Sequence, residues 1–287
     1  MEEHAIDTSV GSLVVRTTGS GAPALLWHSL FVDDRSWDRL VPDLAQDRRL
    51  VVICGPGHGR SGDPGRRYSN EECAAAAVQI LDRLGVSAPV DWVGNAWGGH
   101  VGVIFAASQP ERCRSLVVIG APVAALTRRE RARTYLLLGL YRLLGSSGAV
   151  VNGVTKVLLS PHTRANDLEA VRMVQVCLRR ADRRMLRNAV VSISLHRRDM
   201  TDLLAQVSAP TLVVTGSDHQ GFTPPRAEAA ARLLRHGTVS VVPDASYLVP
   251  LEAPAVCSQV IREFWADRCN SLPQDDRPAD RVRRRRP

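Results

Sequence analysis

Three observations predict an α/β fold with a mostly parallel central sheet and helices on both faces. Short continuous apolar runs recur at Ala24 to Trp27, Arg49 to Cys54, Val90 to Val93, Ser115 to Ile119 and Ala209 to Gly216, as expected of strands buried on both sides. Between most of them lie stretches with apolar residues three and four apart, the period of a packed helix. The third observation is local. Val90 to Val93 leads through Gly94-Asn95-Ala96-Trp97-Gly98-Gly99 into a helical stretch, and small residues around the tip let strand and helix come close, the shape of a nucleophile elbow. The tip residue is Ala96, whose methyl group cannot attack a carbonyl.

In chain order, Ser12 to Thr17 alternates enough for an early strand, and Ala24 to Trp27 follows as a buried one. Ser36 to Leu44 has helical spacing, with Asp33, Asp34 or Ser36 able to cap it. Gly55-Pro56-Gly57-His58-Gly59-Arg60-Ser61-Gly62 reads as a loop. Asn70 is placed to cap an alanine-rich helix ending near Leu84, and Gly98 to Ser108 is helical after the elbow. From 124 to 208 the alternation stops. Arg128 to Leu144, Val150 to Leu159 and Asp167 to Ser194 read as helices, so this segment is expected to be a helical cap inserted into a core made of 1–123 and 209–267. Alternation resumes with a helix near Pro225 to Leu234, a strand at Thr238 to Val242 and a helix from about Pro254 to Trp265. Residues 268–287, rich in Pro, Asp and Arg, cannot bury a core and are expected to be disordered.

The 287 residues carry a formal charge of +8, unevenly spread. Leu126 to Ala205 holds 15 basic and 6 acidic residues, and Lys156 is the only lysine in the chain. No basic stripe with interleaved aromatics is present, which argues against nucleic-acid binding. The six cysteines are scattered without a Cys-x-x-Cys pair or a histidine at ligand spacing, so reduced thiols, a cytoplasmic setting, no metal and no cofactor are expected. No stretch is apolar enough to cross a membrane, and no membrane partner is expected.

The ordered set of motifs resembles the α/β-hydrolase superfamily over roughly residues 10 to 266. His28-Ser29-Leu30-Phe31 is similar to the His-Gly turn whose next residue lends a backbone N–H to the oxyanion hole, and Gly55 to Ser61 is similar to the Pro-Gly-His-Gly-x-Ser loop. The elbow, a cap, the acid loop Gly216-Ser217-Asp218-His219 and the stretch Pro243 to Pro254 complete the order. The resemblance implies an α/β-hydrolase fold and places the nucleophile at Ala96, the histidine at Tyr247 and the acid at His219, with Asp218 one residue early. The nucleophile and histidine positions therefore depart from the pattern, and the acid function survives only if Asp218 can swing into place. The backbone N–H groups of Leu30 and Trp97 keep the oxyanion-hole positions, which depend on chain geometry alone.

An active Ser-His-Asp enzyme needs all three functions together. A laboratory Ser→Ala change would leave a histidine at 247, so Tyr247 argues for natural loss of the triad. The leading expectation is a protein that binds a small, partly apolar ligand, or moves protons without a triad, in a pocket lined by Ser29, Phe31, Asn95 and Tyr247. Two alternatives stand beside it. One is a hydrolase of small esters or lactones, with Ala96 engineered or with His219 activating water and facing Tyr247; the plainer reading of His219 is a solvent-exposed loop residue. The other is an interaction protein that docks an acidic partner on the basic cap, although the cap arginines are most simply a solvated face. His28, His58 and His100 read as structural, Tyr135 and Tyr141 as packing residues of a cap helix, and His162 and His196 have no partner visible in sequence.

Overall fold

The computed structural model describes residues 1–271, and the expectation about the basic tail lies outside them except at its first few positions. Eight strands form one sheet in the order β1-β2-β4-β3-β5-β6-β7-β8. They are β1 (Glu2–Thr8), β2 (Gly11–Thr18), β3 (Ala22–Trp27), β4 (Arg48–Ile53), β5 (Val90–Asn95), β6 (Cys113–Ile119), β7 (Thr211–Gly216) and β8 (Gly237–Val242). Only β1 with β2 and β2 with β4 pair antiparallel, and β3 to β8 run parallel. The sequence pattern does not announce β1. Its residues are mostly polar and it lies at the sheet edge, so it carries no buried apolar run.

The core helices are the short α1 (Val41–Leu44), α2 (Asn70–Arg83) and α3 (Trp97–Ser108). Asn70 does not cap α2. Ser69 does, accepting from the Glu72 amide while the Glu72 carboxylate takes the Ser69 amide, a reciprocal box that the Ser-x-x-Glu spacing encodes. Asp33 caps the turn at Asp34–Trp37, and the helical spacing from Ser36 to Leu44 resolves into that turn and α1. Two apolar clusters fill the two sides of the sheet, one around Trp27, Trp92 and Phe105, the other around Trp37, Val93 and Trp265.

Between β6 and β7 the described chain is helical: α4 (Arg128–Leu144), α5 (Gly148–Leu158), α6 (Pro161–Asn166), α7 (Leu168–Arg180), α8 (Arg183–Ala189) and α9 (Thr201–Leu204). The single helix expected from Asp167 to Ser194 is broken. Asp182 accepts from the amides of Arg184 and Met185 and starts α8, which passes into a wider π-type turn over Val190–Leu195. After β7 come α10 (Pro224–Leu233), α11 (Val249–Glu252) and α12 (Pro254–Ser271).

One charged residue is built into the sheet. Asp91, 1% exposed in β5, accepts from Arg48 Nε at 2.7 Å, Arg114 Nε at 2.8 Å and Ser115 Oγ at 2.7 Å. Its charge is fully paired, which is the condition for keeping a carboxylate there. These bonds tie β4, β5 and β6 together at the ends opposite the elbow.

Candidate functional site

The tip at Ala96 keeps the backbone of an elbow without its chemistry. Ala96 sits at φ 48, ψ −99, a region L residues rarely occupy, and is one of two non-glycine residues with positive φ among the described ones. Close packing imposes that conformation. A Cβ on Gly94 would stand 2.1 Å from the Gly98 oxygen, and one on Gly98 would stand 2.0 Å from the Trp27 oxygen. The Ala96 amide donates to Ile119 O at 2.7 Å and Gly98 N to His28 O at 3.2 Å, which locks the start of α3 between the ends of β3 and β6.

The opposing turn is fixed by two histidines. His28 Nε2 accepts from Gly55 N at 2.8 Å, so the other ring nitrogen carries the proton and donates to Ser29 O at 2.7 Å. His58 faces Pro56 O at 3.0 Å and Leu30 O at 2.6 Å. Both act as structural residues. They hold the turn so that the Leu30 and Trp97 amides, which have no acceptor among the described residues, border the same cavity as the Ala96 methyl group.

That cavity measures about 1210 Å³ and lies between the C-terminal strand ends and the cap. Ser29, Leu30, Phe31, Trp97, Asp218 and Tyr247 line it. Asn95 does not. It is 2% exposed, and its amide donates to Ile119 O at 3.2 Å and Tyr247 O at 2.9 Å, so it stitches the elbow to the Tyr247 loop from behind. The lining also carries five cations, Arg133, Lys156, Arg164, Arg197 and Arg226, against two carboxylates, Glu130 and Asp218.

His219 is neither a solvent-facing loop residue nor an available base. It is 1% exposed. Its Nδ1 accepts the amides of Gly221 at 3.1 Å and Phe222 at 2.9 Å, which puts the proton on Nε2, 3.3 Å from Gly120 O. Both nitrogens are spent on the backbone, so no lone pair remains to take a proton from a ligand or water. Tyr247 does face it, with ring centroids 3.7 Å apart and planes tilted by 31°, and burial raises the phenol pKa. Ring lies on ring, with no hydrogen bond between the two side chains. The Asp218 carboxylate accepts from Ser217 Oγ at 3.2 Å, and its backbone oxygen from Ser246 Oγ at 3.4 Å. Among the described residues, the one side-chain hydroxyl bonded to an imidazole is Thr17, 3.1 Å from His4 on the β1–β2 edge and outside the cavity.

Two residues that sequence reasoning passes over organise the site. Glu252 takes four hydrogen bonds, from the amides of Ser160, Ser246 and Leu248 and from Thr163 Oγ1, binding the Tyr247 loop to the cap; burial raises its pKa. Its place five residues after Tyr247 is the one signal that could have found it. Arg197 is 8% exposed and donates to Val123 O at 2.8 Å and Ala124 O at 2.6 Å, closing the two chain segments where the cap leaves and rejoins the sheet. No sequence pattern marks it. Of the remaining candidates, His100 donates toward Pro122 O at 2.9 Å, Tyr141 is half-buried, and Tyr135, His162 and His196 are exposed.

The buried imidazoles set an acid limit. Burial lowers the pKa of His28 to about 3, of His100 to about 3 and of His219 to about 4, so each is neutral in the folded chain. In the unfolded chain they ionise near the ordinary value of about 6.5, so between that pH and about 4 the unfolded state binds more protons and stability falls as pH falls. Urea unfolding is expected to show a loss of about 3 kcal/mol or more from neutral pH to the lower end of that window. A flat profile would contradict the assigned protonation states.

A family model described as alpha/beta hydrolase fold matches residues 23–154. A 2-hydroxy-6-oxononadienedioate/2-hydroxy-6-oxononatrienedioate hydrolase of Cupriavidus pinatubonensis is 30% identical over 229 residues, covering 77% of this chain and 75% of the relative. Among solved structures, a thermophilic esterase from Thermogutta terrifontis with malate bound superimposes with a TM-score of 0.86 at 25% identity, covering 93% of this chain and 99% of the other. The enol-lactonase of Burkholderia xenovorans gives 0.82 at 19% identity, covering 92% and 100%, a likeness of fold alone.

Proposed function

The chain belongs to the α/β-hydrolase superfamily, and from that premise we propose that it binds a small, partly apolar carboxylate or carbonyl compound under the cap without hydrolysing it through a serine. The observation that carries this is the elbow tip itself: a methyl group at Ala96 beside the Leu30 and Trp97 amides, in a cavity where, among the described residues, no lining hydroxyl is hydrogen-bonded to an imidazole. A ligand oxygen fits where an oxyanion is held in a hydrolase, at the N-terminus of the twelve-residue α3. The excess of cations around the cavity favours a negative ligand. The Cupriavidus relative is named for a dioate substrate and the Thermogutta structure holds malate, both dicarboxylates, which supports the same chemical class.

Proton transfer or water activation through His219 has no support here, because its lone pair is occupied. Octanoate is expected to raise the thermal midpoint more than octanol does, while p-nitrophenyl butyrate is not turned over and a fluorophosphonate probe labels no cavity serine. Labelling of a cavity serine, or turnover that survives stringent purification, would defeat the proposal.

A further inference from the structure

α4 is amphipathic in sequence, yet the structure buries none of its residues. Leu138 and Tyr141 pack partly against the core, and the stripe turned away from them holds leucines. Leu136 is 64% exposed and Leu143 80%, with Leu140 between them on the same side of the helix and Leu137 and Leu144 flanking. Four guanidinium groups, Arg128, Arg129, Arg131 and Arg133, crowd the first half of the same helix, all exposed. Within the helix only Glu130 opposes them, and it is engaged by the Thr127 amide. Exposed leucines in this number mark an interaction surface rather than ordinary surface scatter.

We propose that α4 is an interfacial helix that seats the cap on an anionic lipid bilayer, leucines in the acyl boundary and guanidinium groups among the headgroups. Charge selects this occupant. A second copy of the same face would bring two arginine-rich helices together, whereas a bilayer with negative headgroups complements both the apolar and the basic part. No helix among the described residues is long and apolar enough to cross a membrane, so the association lies along the surface. The expectation of no membrane partner rests on the lack of a spanning segment and does not test for a surface helix. Leu137 and Val157 are more than half exposed and also line the cavity, so its mouth opens within the same patch. A ligand dissolved in the bilayer reaches the cavity without crossing water.

The test is sedimentation of the full chain with vesicles of phosphatidylglycerol and phosphatidylcholine, compared with phosphatidylcholine alone. Wild type is expected to partition onto the anionic vesicles, and the triple variant Leu136→Ser, Leu140→Ser, Leu143→Ser to lose at least tenfold in partition coefficient with an unchanged thermal midpoint. No binding to anionic vesicles at low salt overturns the proposal. So does a triple variant that binds like wild type, which would make the attraction purely ionic, or a wild-type dimer that the triple variant makes monomeric, which would assign the leucines to a second copy.

Discussion

The triple change Ala96→Ser, Tyr247→His and His219→Asp is expected to raise turnover of p-nitrophenyl acetate at least about a hundredfold above wild type, while Ala96→Ser alone stays at background. Ala96 keeps the elbow backbone and Leu30 and Trp97 line the same cavity, so on the proposed reading of their amides the missing parts are the side chains at 96, 247 and 219. A serine alone has no base, since the phenol of Tyr247 does not take a proton near neutral pH and both nitrogens of His219 are committed. Changing 96 and 247 without 219 would stack a new imidazole on an old one, with no carboxylate behind it. A carboxylate introduced at 219 can accept the Gly221 and Phe222 amides with one oxygen and orient the imidazole introduced at 247 with the other. A folded triple variant no more active than wild type would show that the elbow is no longer competent.

Gly98→Ala is expected to cost about 4 kcal/mol or more, enough to prevent soluble expression or abolish cooperative unfolding. The added methyl would stand 2.0 Å from the Trp27 oxygen and 2.6 Å from its carbonyl carbon, backbone atoms that cannot give way without moving the β3 end or α3. The same shift would separate the Leu30 and Trp97 amides. Gly139→Ala is the control. It sits within α4, where an added methyl group would meet nothing within 4 Å, and removing a helical glycine there should stabilise by about 0.5–1 kcal/mol. Urea midpoints of both variants decide the matter, and a Gly98→Ala protein within about 1 kcal/mol of wild type would sink the claim.

Strands buried on both faces are legible because they read as unbroken apolar runs, and the elbow because only small residues permit its approach. α4 is legible at both ends, from Arg128 to Leu144. What escapes depends on partners distant in sequence or on the backbone. His219 owes its burial and its tautomer to amides two and three residues on and to Gly120, none of which a side-chain pattern records. Asn95 borders the tip in sequence but turns away from the cavity to reach Tyr247 O, 152 residues later. The leucine stripe of α4 predicts burial, since periodicity shows that a helix has an apolar side but not what covers it.

One margin of the cap is bolted to the core by charged side chains. Glu252 holds Ser160 and Thr163, Arg39 holds Asp167 and Glu169, and the Tyr247 amide reaches Leu158 O at 3.3 Å. α4 buries no residue fully: Leu138 and Tyr141 pack partly against the core, and Glu130 stands 3.9 Å from Arg226 of α10. A ligand path beside α4 would therefore leave the hydrogen bonds of Glu252 and Arg39 unbroken.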